Sequence, residues 1–137
     1  MAAGTKFKKW ADALGKGANV ATDQFKLVLS NTIPDYDNDD VLADAAEIAS
    51  GNGYSAGGNA ITTTSTTTAA GVMKLVLADL VITAAGGSIG PFRYLIIIDS
   101  TINKLVQAYD RGASITLLNG DSMTANFDPS TGVATLS

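Results

Sequence analysis

The sequence predicts a mainly β protein: an antiparallel β-sandwich of jelly-roll or Ig-like type, with an N-terminal arm and at most one or two short helices. Three observations carry that prediction. Apolar runs of strand length recur along the 137 residues with turn signals between them. Several runs alternate apolar and polar residues with a period of two, the spacing that turns one side of a strand toward a core. Asn119-Gly120 stands between two such runs, and Asn-Gly is a strong hairpin signal because both central residues of a type I′ turn need positive φ.

Residues 1–20 form a basic, aromatic arm, with Lys6, Lys8, Lys9 and Lys16 against Asp12. Phe7, Trp10, Ala11 and Leu14 recur at helical spacing, and Gly15 and Gly17 end the pattern, so a short helix or an extended arm fits. Phe7 and Trp10 need cover, from their own domain or from a neighbour. Residues 21–137 are expected to form a single sandwich domain with a long acidic and Gly-rich excursion at 31–59. Gln24–Ser30 alternates as a strand, with Phe25, Leu27 and Leu29 on one side. Asp35–Asp40 is a polar loop. Val41–Ala49 carries Leu42, Ala45, Ala46 and Ala49 at helical spacing, with Asp39 or Asp40 as a cap for the free first-turn N–H groups. Ser50–Asn59 is a Gly-rich loop.

Ala60–Ala70 contains ITTTSTTT, which is either an exposed edge strand of β-branched Thr or a low-complexity loop. Val72–Thr83 is one strand, or two broken near Asp79. Pro91–Asp99 is apolar on both faces after Tyr94 and predicts the most buried strand. Asn103–Tyr109, Ala113–Leu118, Asp121–Phe127 and Val133–Leu136 are further strands, with a turn at Asp128-Pro129. Lys-Leu-Val-Leu occurs at 26–29 and 74–77 without matching flanks, which is shared strand grammar and not duplication.

Composition narrows the chemistry. Apolar residues make up 46% of the chain, enough for a core, while charged residues are only 16%. The chain has no His and no Cys, which removes imidazole bases, thiol nucleophiles, disulfides and His- or Cys-ligated zinc. An enzyme would have to work with carboxylates, Lys or Tyr, and none is expected; nor is a cofactor. A net charge of −4, with Arg93 and Arg111 the only arginines, disfavours nucleic acid as a partner. No run approaches the roughly 18 apolar residues of a membrane span, so no membrane partner is expected. The N-terminal stretch lacks the apolar core of a signal peptide.

Motifs that resemble active sites fail on context. Gly86–Gly90 matches GxSxG, but a nucleophile elbow joins a strand to a helix and needs a His, whereas here a strand follows. Asp35–Asp40 resembles the start of a calcium loop, yet the positions that need Gly and Glu hold Asp40 and Ala46, so a solvated acidic loop is expected and no metal is assigned. Asp99, Asp110, Asp121 and Asp128 fall at strand ends, where Asp commonly satisfies backbone N–H groups, although two together could act as a glycosidase pair. Arg93 is either solvated on an edge or paired with a carboxylate.

Several stretches together carry a resemblance. Lys6-Phe7-Lys8-Lys9-Trp10 with Ala13-Leu14-Gly15, FKLVLSNTIP at 25–34, EIASGNGYSAGG at 47–58, AAGGSIGPFRYLIIID at 84–99 and ITLLNGDSMTANFD at 115–128 resemble a family of small virion structural proteins of tailed bacteriophages. The similarity spans most of the chain; the stretch 62–80 carries no distinctive motif. The resemblance implies a particle component and brings no catalytic residues. The expected role is a capsid decoration (cement) protein on the outer surface of the major capsid lattice, with a tail, collar or baseplate component as the alternative. Its expected partners are the major capsid protein and copies of itself, in a symmetric or lattice-repeated arrangement in the virion after synthesis in the host cytoplasm. In that picture Lys6, Lys8 and Lys9 meet an acidic capsid surface while Phe7 and Trp10 fill its apolar pockets.

Overall fold

A computed structural model describes residues 4–17, 19, 21–69, 72–127 and 134–136. In chain order they form β1 (Thr5–Lys6), α1 (Lys8–Lys16), β2 (Phe25–Ser30), a 3-10 turn (Leu42–Ala45), β3 (Asn59–Ile61), β4 (Thr63–Ala69), β5 (Val72–Leu77), β6 (Leu80–Thr83), β7 (Ile89–Asp99), β8 (Lys104–Leu117), β9 (Ser122–Ala125) and β10 (Ala134–Leu136). The protein is mainly β and its strand pairs are antiparallel. The central layer is a five-stranded sheet in the order β1-β8-β7-β2-β3, accompanied by a three-stranded sheet β10-β5-β4 and a two-stranded sheet β6-β9. The layers pack in the manner of a sandwich, with sheets of five, three and two strands among the described residues where a jelly roll has four and four.

β7 lies near the middle of the large sheet because its sequence is apolar on both sides. It pairs with β2 from Phe25↔Asp99 to Ser30↔Tyr94 and with β8 on its other edge. Alternation divides its residues from Tyr94 onward, and the register shift between Phe92 and Tyr94 turns Phe92 to the face of Leu95. Phe92, Leu95 and Ile97 join Phe25, Leu27, Leu29 and Val106 in a front cluster, closed by Leu75 and Leu77 of β5, Ile82 of β6, Ala125 of β9 and Phe127. Tyr94, Ile96 and Ile98 join Val28, Leu105 and Ala108 in a back cluster that, among the described residues, no other sheet covers. Phe7, Ala45, Tyr36 and Leu42 cover it instead, so the acidic excursion is the lid of the second face.

The N-terminal segment belongs to the domain and is no free arm. β1 pairs with β8, Thr5 opposite Ala108 and Lys6 opposite Gln107. α1 follows at once, starts after Phe7 and stops at Gly17, whose N–H reaches the Ala13 carbonyl at φ 138°. Its buried side is Trp10 and Ala13; Ala11 is exposed.

Three local expectations give way to longer-range pairing. The predicted strands 103–109 and 113–118 are one strand, β8, whose register with β7 shifts between Tyr94↔Asp110 and Phe92↔Ile115. A turn forms at Asn119-Gly120, with the Asp121 N–H on the Leu118 carbonyl at 2.8 Å, but with positive φ at Gly120 alone it is not type I′, and it makes no hairpin. It carries the chain from the large sheet to β9, which pairs with β6. In place of a helix over 41–49 there is the 3-10 turn, after which Glu47 bridges Ser30 and the Ile48 N–H bonds the Leu29 carbonyl. That edge of β2 is open beyond β3, and filling its ladder outweighs a marginal Ala-rich helix. The cap also runs the other way: Asp44 reaches back to the N–H groups of Asp40 and Val41.

Other expectations match. The chain breaks at Ala78-Asp79 between β5 and β6, and β10 pairs with β5; the Thr-rich run is the edge strand β4, although the expected Ala60–Ala70 segment is split at Thr62, with Ala60 and Ile61 in β3 of the large sheet. The Asp128-Pro129 turn and Val133 lie outside the described residues.

Candidate functional site

The five residues expected to anchor a partner, Lys6, Phe7, Lys8, Lys9 and Trp10, occupy the junction of β1 and α1, and the structure separates their roles. Phe7 and Trp10 are fully buried in their own domain. Phe7 donates its N–H to the Val106 carbonyl (3.0 Å) and lies 5.1 Å, ring to ring, from Tyr36 of the excursion. Trp10 meets Phe25 edge-on at 6.4 Å, and its indole N–H has no acceptor among the described residues. Burying each ring contributes on the order of 2–3 kcal/mol to the fold. Neither can also fill a pocket on a partner, which corrects the expectation for both.

The charges of this segment face inward along the surface. Lys8 ion-pairs with Asp37, its N–H bonds the Tyr36 carbonyl (2.9 Å), and Asp37 holds the ammonium above its ordinary pKa. Lys9 lies close enough to Asp35 and Asp44 to favour their ionised forms. The basic end of the chain therefore docks on the chain's own acidic stretch. Lys6 and Lys9 remain exposed.

The acidic excursion is ordered by its own carboxylates. Asp35 accepts the Asn38 side chain (2.8 Å) and the Asp37 N–H (3.1 Å), and these bonds keep it below the usual carboxylate range. Asp44 is lowered in the same way by the N–H groups of Asp40 and Val41. Lys104 reaches Asp40 at 2.9 Å, and the Asn103 side chain accepts the Leu42 N–H. Among the described residues no group of three or more acidic side chains is placed to hold a metal ion.

The Gly-rich loop is equally committed. Gly51-Asn52-Gly53-Tyr54 closes on itself through reciprocal backbone bonds between Gly51 and Tyr54, with Asn52 and Gly53 at φ 59° and 112°. A Cβ at Gly58 would stand 2.8 Å from the Leu27 carbonyl at φ +105°, so only Gly fits there. Tyr54 is buried; its hydroxyl donates to Glu47 (2.6 Å) and accepts the Leu29 N–H (3.2 Å). Burial, followed by the bond to Glu47, pushes the Tyr54 phenol well above its ordinary pKa. Glu47 also accepts the Gly57 N–H.

The other singled-out residues are dispersed. Ser88 of the GxSxG match lies in the turn before β7, its carbonyl bonded by Asn52. Arg93 and Asp110 form a two-point ion pair at 2.7 and 3.0 Å across β7 and β8, which lowers Asp110, and the guanidinium sits 5.4 Å over Tyr94. Asp121 accepts the Leu118 N–H. Asp99 is at the far end of β7, opposite Lys104, so the strand-end aspartates form no pair with one another; Asp128 is outside the described residues. Because β9 leaves β8, a groove of about 280 Å³ opens between them, lined by Leu95, Tyr109, Arg111, Met123, Thr124 and Asn126.

One juxtaposition has no local signature in the sequence. Asp99 is fully buried with the Asp23 carboxyl against it. Burial and the bond to Asp23 push Asp99 up to about 8. Its partner lies in the α1–β2 connection, a separation no spacing rule detects. Among the described residues no helix is long and apolar enough to cross a membrane. No family model matches the chain, and no curated protein or solved structure matches it either.

Proposed function

We propose that the protein is a bacteriophage virion structural protein, a capsid decoration (cement) protein that binds the outer surface of the major capsid lattice. The resemblance of its GNGYSAGG and GGSIGPFRY stretches to phage virion proteins supports this. The structural observation that carries it is the internal use of the loop carboxylates. Asp35, Asp40, Asp44 and Glu47 all hold the chain's own backbone or side chains, so the long loops are parts of a rigid body. A rigid body repeated on a symmetric lattice gains avidity from modest contacts. Lys6 and Lys9, both exposed, offer charge to an acidic capsid surface, while Phe7 and Trp10 supply the frame behind them.

Mixing the purified protein with undecorated capsids and imaging the particles tests the proposal. Density on the capsid exterior, weakened when Lys6 and Lys9 are both replaced by Glu, is the expected result. Protein bound to isolated tails and absent from heads would place it in the tail instead, and absence from purified particles would overturn a virion role altogether.

A further inference from the structure

The end of β7 and the connection between α1 and β2 are fastened together by a dense set of bonds. The Gln24 N–H bonds Thr101 Oγ1 at 2.9 Å, and the Ser100 N–H and hydroxyl both reach the Gln24 carbonyl at 2.8 Å. Asp23, 9% exposed, anchors its own turn by accepting the Asn19 N–H at 2.9 Å through Oδ2. At the centre sits Asp99, 0% exposed. Its Oδ1 accepts the Thr101 N–H at 3.2 Å and the Ile102 N–H also favours the charged carboxylate, while Oδ2 has no hydrogen-bond partner among the described residues.

A buried carboxyl oxygen without a donor is costly, and here its neighbour is another carboxyl. Among the described residues no cation is paired with either carboxyl. Lys104, opposite Asp99 on β8, gives its ammonium to Asp40. Lys26 sits beside Ile98, on the other face of the sheet by strand alternation. Of the α1 side chains described, those turned inward are Trp10 and Ala13, both apolar. Two ionised carboxylates in such a site would repel with nothing to balance them, whereas one proton between them satisfies both.

We propose that Asp23 and Asp99 form a proton-held clasp, in which a single shared proton fastens the α1–β2 connection to the β7–β8 turn and its loss loosens the N-terminal helix from the sheet. The helix is the element affected because Asp23 directly precedes Gln24 and Phe25, and Phe25 carries Trp10. The sign follows from linkage. Asp99 keeps its proton in the folded chain to about pH 8, while the unfolded chain releases it near the ordinary carboxylate value of 3.8. Between those values the folded state holds one more proton, so stability falls as pH rises and levels off above pH 8.

Trp10 is the single tryptophan, so its fluorescence reports the helix directly. The experiment compares wild type with Asp99→Asn by urea unfolding at pH 5, 6, 7 and 8, and by acrylamide quenching of the folded proteins between pH 7 and 9. The expected wild-type unfolding constant rises about tenfold per pH unit between pH 5 and 7, the slope of one proton, and is flat in the variant. Quenching of Trp10 is expected to increase several-fold across pH 7 to 9 in wild type alone. Asp23→Asn, which leaves Asp99 buried but offers it an amide donor and removes the facing charge, serves if Asp99→Asn does not fold, and predicts a pH slope clearly smaller than that of wild type, because burial still favours the protonated Asp99. A wild-type unfolding constant that is independent of pH, or quenching that changes equally in wild type and variant, overturns the clasp.

Discussion

The two faces of the five-stranded sheet are covered by opposite means. The front meets other strands, so apolar side chains interdigitate with apolar side chains from β5, β6 and β9. The back meets a loop whose apolar contribution is small, chiefly Tyr36, Leu42 and Ala45 beside Phe7, and which polar bonds hold in place. The difference teaches that an acidic, turn-rich stretch can serve as a core cover when its carboxylates cap its own backbone and its cations come from elsewhere in the chain. The largest expected effects compare these faces by cavity formation. Ile97→Ala on the front is expected to cost about 4–5 kcal/mol, because strands on both sides hold the cavity open, and Ile96→Ala on the back about 2–3 kcal/mol, because the loop can settle into the space. Urea denaturation of both variants checks this, and equal costs would mean the loop packs as rigidly as a sheet.

The front face was legible in the sequence and the back cover was half legible. Alternation in Gln24–Ser30 placed Phe25, Leu27 and Leu29 together, and the two-sided apolar run after Tyr94 announced that something must cover a second face. What covered it was not announced, because Asp35–Asp40 has the composition of a solvated loop and the partners that order it, Phe7, the Lys8 backbone and Lys104, lie far away in the chain. The same limit applies to Phe7 and Trp10: helical spacing showed that they needed cover, but spacing cannot say whose. Asn119-Gly120 gave the position of a turn correctly but its type and strand partner wrongly, since a turn fixes local direction while pairing depends on which edge is open. Asp99 was visible as an ordinary strand-end aspartate, Asp23 carried no signal at all, and only the fold brings them into contact.

The junction between the two covers is Tyr54, whose hydroxyl ties the front-face residue Leu29 to Glu47 at the end of the excursion. Tyr54→Phe removes a donor from Glu47 and an acceptor from the Leu29 N–H while keeping the ring in place. A loss of about 1–3 kcal/mol is expected, read as a lower urea midpoint with an unchanged slope. A cost near zero would show that water replaces the hydroxyl and that the two covers are joined only by packing.

Acid separates the faces without mutation. Asp35 and Asp44 have folded pKa values below their ordinary 3.8, so the stability they contribute is present above that value and is lost as pH falls through their folded values. Between pH 4 and pH 2 the back cover is therefore expected to loosen first. Methyl resonances of Ile96 and Ile98 should broaden or shift before those of Leu95 and Ile97. Simultaneous loss of both sets would show that the cover has no independent stability.

The smallest effect is expected at the most conspicuous charge pair. Lys8 and Asp37 stand in solvent, so their attraction is screened and offset by the entropy of holding two exposed side chains in one geometry. What positions this part of the excursion is the bond from the Lys8 N–H to the Tyr36 carbonyl, together with the contact between Phe7 and Tyr36, and neither depends on the lysine side chain. Lys8→Ala should therefore leave the urea midpoint within measurement error and leave its salt dependence unchanged, whereas Phe7→Ala should loosen the back cover markedly. A clear loss of stability in Lys8→Ala at low salt that disappears at high salt would reverse this ranking and make charge complementarity, more than the buried ring, the hold of the N-terminal segment on the excursion.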